Sequence, residues 1–281
     1  MQWNMSWGID DTMSQTQRIT HIDSLRGAAV LLMVMVHAAA TWNPFQTPQI
    51  SVLAYVVSGL GGLAAPMFVT LFGWGILRST LSLKPRIFQA SFLICAQVLV
   101  NLTSPHLFNP FTPGILSLMG LLTLIFPFFA IRFKAFTVQT LVLVSSVICA
   151  IQIFLPELQG AGEWSDRVSD ESTYIILSNL FLTGTYPLFP WIIFATLGAT
   201  ISSLNLESNQ TLPLTKFTKS AIGLGFVFCL STFLYSQFQN ELWAHPTTDA
   251  YLTFFPANSA FIVAATTGVL LIWTFIQRYE L

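Results

Sequence analysis

Residues 23–42 read DSLRGAAVLLMVMVHAAATW. Apart from Asp23, Arg26 and His37, this run carries no ionisable group over a length that crosses about 30 Å of hydrocarbon as a helix. Seven further apolar stretches follow, at 50–77, 87–103, 113–131, 136–155, 185–204, 218–238 and 256–277. The spacing predicts an all-α polytopic membrane protein of about eight transmembrane helices. The second stretch is overlong and holds Gly59, Gly61, Gly62 and Pro66. It is expected as a broken helix, whose freed backbone groups need protein neighbours. Tyr174–Thr183 is apolar but too short to span, and is expected at the interface or as a re-entrant segment. Residues 1–20 are polar and are expected as a mobile cytoplasmic tail ahead of the membrane domain, 21–281.

Composition supports this class. Only 8% of the 281 residues are charged, against 54% hydrophobic, and mean hydropathy is +0.68. A soluble domain of this size could not cover its surface with so few charges. The net charge of −1 leaves no basic excess, which excludes a nucleic-acid partner. Cys95, Cys149 and Cys229 lie in separate apolar runs without metal spacing. They are read as small buried hydrophobes, and no metal site is expected.

The basic residues set an orientation. Arg18, Arg26, Arg78, Lys84, Arg86, Arg132, Lys134, Lys216, Lys219 and Arg278 all fall on one side of this layout, and Arg167 alone on the other. The positive-inside rule then puts both termini in the cytoplasm. A ninth crossing at 174–183 would break the alternation. The external loops are acidic or neutral.

Ionisable groups within a membrane are costly and are functional candidates by default. Arg26 and His37 are eleven residues apart, close to three helical turns, so they share one stripe with a separation of roughly 16 Å along the axis. Asp23 lies three residues before Arg26. The stripe is expected to line one cavity joining a cytoplasmic cation to an intramembrane imidazole. Each residue also has a plainer reading. Arg26 serves equally as a positive-inside anchor, Asp23 as a helix-start residue, and His37 as a packed hydrogen-bonding group rather than a base, proton carrier or ligand. In the external loops, His106 and Asn101 are either loop polar groups or acceptor-binding groups. Trp191 and Tyr186 suit an interfacial aromatic belt or an acceptor site. Arg78, Lys84 and Arg86 are topology anchors or a attraction for phosphates.

The stretch Arg18-Ile19-Thr20-His21-Ile22-Asp23-Ser24-Leu25-Arg26-Gly27, with Met33 and His37, resembles the first helix of the transmembrane acyltransferase superfamily. That superfamily includes the heparan-α-glucosaminide N-acetyltransferase family and acyltransferase family 3. Arg26 and His37 resemble the arginine–ten residues–histidine pattern of the latter. Ala65-Pro66-Met67-Phe68-Val69-Thr70-Leu71-Phe72-Gly73 is similar to a second-helix signature of the glucosaminide branch. Pro113-Gly114-Ile115-Leu116 is similar to its fourth-helix start, and Tyr186-Pro187-Leu188-Phe189-Pro190-Trp191 with Gly198 to a later proline-rich helix entry. The segment Thr41–Ile50, where the glucosaminide branch carries a histidine, has none here. The assignment of His37 therefore rests on the family 3 pattern.

The resemblance implies acyl transfer, of acetyl groups above all, from cytoplasmic acyl-CoA to a sugar hydroxyl or amine across the membrane. It implies catalytic roles for His37, Arg26 and Asp23. His37 would act as general base or hold the acyl group, Arg26 would engage the CoA end, and Asp23 would orient Arg26. Arg78 and Arg86 would join Arg26 at acetyl-CoA, with His106, Asn101, Trp191 and Tyr186 at the carbohydrate acceptor. Partners are then acyl-CoA, the acceptor and membrane lipid, with a homodimer left open. Two rival readings are a proton-coupled permease, suited to a broken helix beside a deep histidine, and a non-catalytic membrane subunit.

Overall fold

A computed structural model describes residues 19–41, 52–79, 82–132, 137–160, 163–204, 211–247 and 250–279. The tail 1–18, most of the segment 41–50, and Lys134 lie outside the described residues. Helices occupy all eight expected stretches: α1 (Thr20–Thr41), α2 (Val52–Gly61) with α3 (Ala64–Arg78), α4 (Leu83–Thr103), α5 (Ile115–Arg132), α6 (Val138–Phe154), then α9 (Leu188–Ser203), α10 (Lys216–Gln239) and α11 (Ser259–Tyr279). Two short helices, α7 (Trp164–Val168) and α8 (Thr173–Ser178), sit in the loop between α6 and α9. Among the described residues, five helices are long and apolar enough to cross a membrane, or six if the bent pair of 173–183 and α9 is one span, whereas α5 and α6 contribute shorter apolar lengths. The protein is an integral membrane protein built from helices. The expected break in the second stretch falls at Gly62–Leu63, where a turn separates α2 from α3.

Local chemistry explains several of the boundaries. Thr137 and Thr140 form a reciprocal capping box at the start of α6. The Thr215 hydroxyl accepts from the Thr218 amide at the start of α10, and Asn240 ends that helix in the left-handed region at φ 57°. One element lies beyond an all-helical expectation. Leu242–His245 (β1) and Ala250–Thr253 (β2) pair as a two-stranded parallel sheet in the loop before α11.

The centre of the fold is the pair α3 and α9. Lipid tails are as apolar as leucine, so helices associate in a bilayer through close packing rather than through hydrophobic transfer. A Cβ placed on Gly198 would lie 1.8 Å from the Thr70 carbonyl oxygen, and one on Gly73 would lie 2.2 Å from the Ala195 carbonyl oxygen. The two backbones therefore touch. Thr70, Thr196 and Thr200 sit buried on these two helices. Each donates its hydroxyl to a carbonyl one turn back on its own helix, so no polar hydrogen is left over. The outer helices are thinly covered. Cys95 is exposed on α4, and Cys149 and Cys229 are half-buried, which corrects the expectation of buried thiols: these runs turn outward from the α3–α9 core.

The segment 173–183 consists of α8 and a π-helical turn at Asn179–Thr183, bent by 46° from α9. Some of its polar bonds are internal, between Ser178, Asn179 and Thr183, and others go to the preceding loop. Asn179 donates through its side-chain amide to the carbonyls of Ser169 (2.9 Å) and Asp166 (3.4 Å). Arg167, 1% exposed, donates to the carbonyls of Thr183 (2.8 Å), Gly184 (3.4 Å) and Gln159 (3.3 Å). Arg167 is thus a clasp on helix-end carbonyls, which carry partial negative charge. Burial pushes its pKa down from the usual arginine value, and neighbouring Asp166 pulls it back up. Arg167→Ala strands three carbonyls and leaves a void. It is expected to cost about 3–5 kcal/mol, read as a large fall in the midpoint of thermal unfolding in detergent.

Candidate functional site

Ile22, Leu25 and Ala29 on α1 are buried against Met67, Leu71 and Trp74 on α3 and Val269 and Trp273 on α11. This packing brings the start of α1 to the end of α3 and the end of α11. Several sequence-predicted groups collect there. The Arg26 guanidinium donates from Nη1 to Oδ1 of Asp23 at 3.0 Å, so the expected Asp23–Arg26 pairing is present on the exposed side of α1. Arg78 lies over the Trp74 ring, with its Cζ 4.8 Å from the ring centroid. Arg86 donates from Nη2 to the carbonyl of Ser79, the residue that ends α3, at 3.0 Å.

His21 opens the ionisable run at the start of α1 but is not among the expected site residues. It is 3% exposed, and its Nε2 lies 2.8 Å from the Thr211 hydroxyl. Trp273 Nε1 donates to the same hydroxyl at 3.0 Å. Gln277 grips the backbone of Leu212 from both sides, accepting its N–H and donating to its carbonyl at 2.8 Å each. This buried polar cluster ties α1, the segment before α10 and α11 together. Its sequence signal is faint: an imidazole set between Ile19 and Ile22, on the side of the helix that becomes the core.

His37 lies nearer the other end of α1. The helix is continuous from Thr20 to Thr41, so Arg26 and His37 differ by about 20° around its axis. His37 Nδ1 is 2.7 Å from the Met33 carbonyl. A carbonyl only accepts, so Nδ1 carries the proton and, in the neutral ring, the lone pair is on Nε2. Arg26, Val30, Met33 and His37 are all exposed. The stripe is therefore shared as expected, but the described residues do not enclose it as a cavity. The α1–α2 connection, 42–51, lies outside the described residues.

The groups expected at the acceptor separate. His106 is exposed in the turn after α4. Asn101 is 1% exposed and fully used: its amide donates to the carbonyls of Pro110 (3.1 Å) and Thr112 (2.8 Å), and its oxygen accepts from Gln97 (2.9 Å). It staples the α4–α5 loop and has no hydrogen to spare. Trp191 and Tyr186 do meet, with ring centroids 5.0 Å apart, but not in a surface belt. Trp191 is completely buried, and Phe254 packs on both rings at 5.3 and 5.9 Å. Aromatic stacking with the loop before α11 draws them inward.

Residues 18–229 match the family described as heparan-alpha-glucosaminide N-acetyltransferase, catalytic. The match takes in α1 through the first half of α10. The chain belongs to this family. Membership places it in the membrane acetyltransferase class. The matched range holds Asp23, Arg26, His37, Arg78 and Arg86, while Trp273 and Gln277 lie beyond it. No curated protein matches the chain.

Proposed function

We propose that the protein moves an acetyl group from cytoplasmic acetyl-CoA to a hydroxyl or amine of a glycan or related acceptor, with both termini in the cytoplasm. Membership of the acetyltransferase family over residues 18–229 carries this reading. The charge distribution supports the orientation. In the Arg-x10-His reading, Arg26, steadied by Asp23, receives the CoA end. His37 sits roughly 16 Å further along α1, where its Nε2 lone pair meets the acceptor.

The chemistry balances without any added reagent. His37 Nε2 takes the proton from the acceptor oxygen or nitrogen as that atom attacks the thioester carbonyl. The new C–O or C–N bond forms, the C–S bond breaks, and the proton passes to the departing thiolate to give free CoA. Asn101 and Trp191, enclosed by protein partners, serve this site by holding the loops and the α9 entry in place. The test is purified protein in lipid with radiolabelled acetyl-CoA and a panel of amino and neutral sugars. The expected outcome is label on a sugar with one CoA thiol released per acetyl. Absence of thiol release above the protein-free rate with every acceptor would sink the reading.

A further inference from the structure

Trp74 and Arg78 stand one turn apart on the last part of α3. Trp74 is 7% exposed, fixed among Leu25, Leu71, Leu197 and Trp273. Its Nε1–H has no hydrogen-bond partner among the described residues. Burying an unpaired indole N–H is unfavourable, and a phenyl ring would pack at the same place without that penalty. What an indole adds over a phenyl is the stronger negative face for a cation. Arg78 occupies that face, at 4.8 Å. One residue on, the Ser79 carbonyl draws in Arg86. Two guanidiniums are thus collected at one helix end, where the helix dipole tolerates cations but where like charges repel each other. A ligand with several phosphates offsets that repulsion, and a guanidinium held by its face keeps its edge N–H groups for paired bonds to phosphate oxygens.

We propose that Trp74 is a positioning residue for Arg78, and that Arg78 and Arg86 together take the phosphate-bearing end of the acyl-CoA donor. This rests on the acetyltransferase reading above. It adds that donor selection comes from the phosphates, and that an aromatic face presets the cation that reads them.

The test compares two donors that share the acetyl thioester and differ in the nucleotide and its phosphates: acetyl-CoA and S-acetylpantetheine. Equilibrium binding of CoA and of pantetheine to the purified protein provides a second readout. Trp74→Leu preserves every charge. It is expected to raise the KM for acetyl-CoA and the Kd for CoA about fivefold, and Arg78→Leu about tenfold or more. In both variants kcat and all constants for the phosphate-free compounds stay within about twofold of wild type, and Trp74→Phe, with its weaker face, falls between wild type and Trp74→Leu. Equal losses with both donors would reduce Trp74 to a packing residue and overturn the proposal. So would unchanged CoA binding in Trp74→Leu and Arg78→Leu. A wild-type protein that binds CoA selectively over pantetheine, with the variants weakened as stated, but transfers no acetyl group would sink the acetyltransferase reading and leave this assignment of the phosphate site standing.

Discussion

Gly198→Ala is expected to abolish the folded protein, although it adds a single methyl group to a helix. Alanine is the better helix former by about 1 kcal/mol, so local propensity argues for stabilisation. The tertiary contact decides otherwise. The new Cβ would sit 1.8 Å from the Thr70 carbonyl oxygen and 2.8 Å from the Trp74 amide nitrogen. Both neighbours are backbone, so no rotamer change relieves the clash, and α3 and α9 must move apart as bodies. That separation opens the contacts of Phe194, Ala195 and Leu197 with α3 and unseats Trp74, Met67 and the start of α1. Overpacking a side-chain contact costs about 1–3 kcal/mol, and a backbone-on-backbone clash belongs at or above the top of that range. Gly223→Ala is the control, because nothing lies within 4 Å of its added Cβ. It should keep the wild-type elution profile and unfolding midpoint, whereas Gly198→Ala should aggregate on extraction. A Gly198→Ala protein with a wild-type unfolding midpoint would mean that α3 and α9 do not touch through their backbones.

Much of this architecture is legible in the sequence because bilayer physics acts on composition. A run of about twenty apolar residues must be a helix, since no other open structure satisfies its backbone in hydrocarbon. The break after Gly61 is legible for the same reason, as glycines crowded before Pro66 weaken the helix there. The Asp23–Arg26 pair follows from helical spacing alone. Interior positions are a different matter. Nothing in the composition around Arg167 separates a buried clasp from a stray surface cation. Three carbonyls from different parts of the loop decide that, and their convergence is a tertiary event. Trp191 reads as a belt residue until Tyr186 and Phe254 close around it. His21 and Gln277 lie about 250 residues apart, and only the packing of α1 against α11 shows that they share a cluster. The β1–β2 pair is too short for any periodicity to show. The Arg26–His37 stripe was legible as geometry, but enclosure depends on neighbours that helical spacing does not specify.

His37→Ala is expected to lower kcat by about 10²–10⁴-fold, the range that a positioned general base contributes, and to leave CoA binding intact. The two effects separate because Arg26 and the α3-end arginines lie at one end of α1 and His37 lies roughly 16 Å along it. Stability should hardly change. His37 is exposed, so truncation falls in the range of about 0.5 kcal/mol typical of exposed sites. His37→Gln sharpens the reading. Glutamine keeps a donor for the Met33 carbonyl but offers no basic nitrogen, so a base role predicts that it is as inactive as alanine, while a positioning role predicts recovery. Full activity in His37→Ala would remove the imidazole from the chemistry and leave the Arg26–His37 spacing as topology and packing alone.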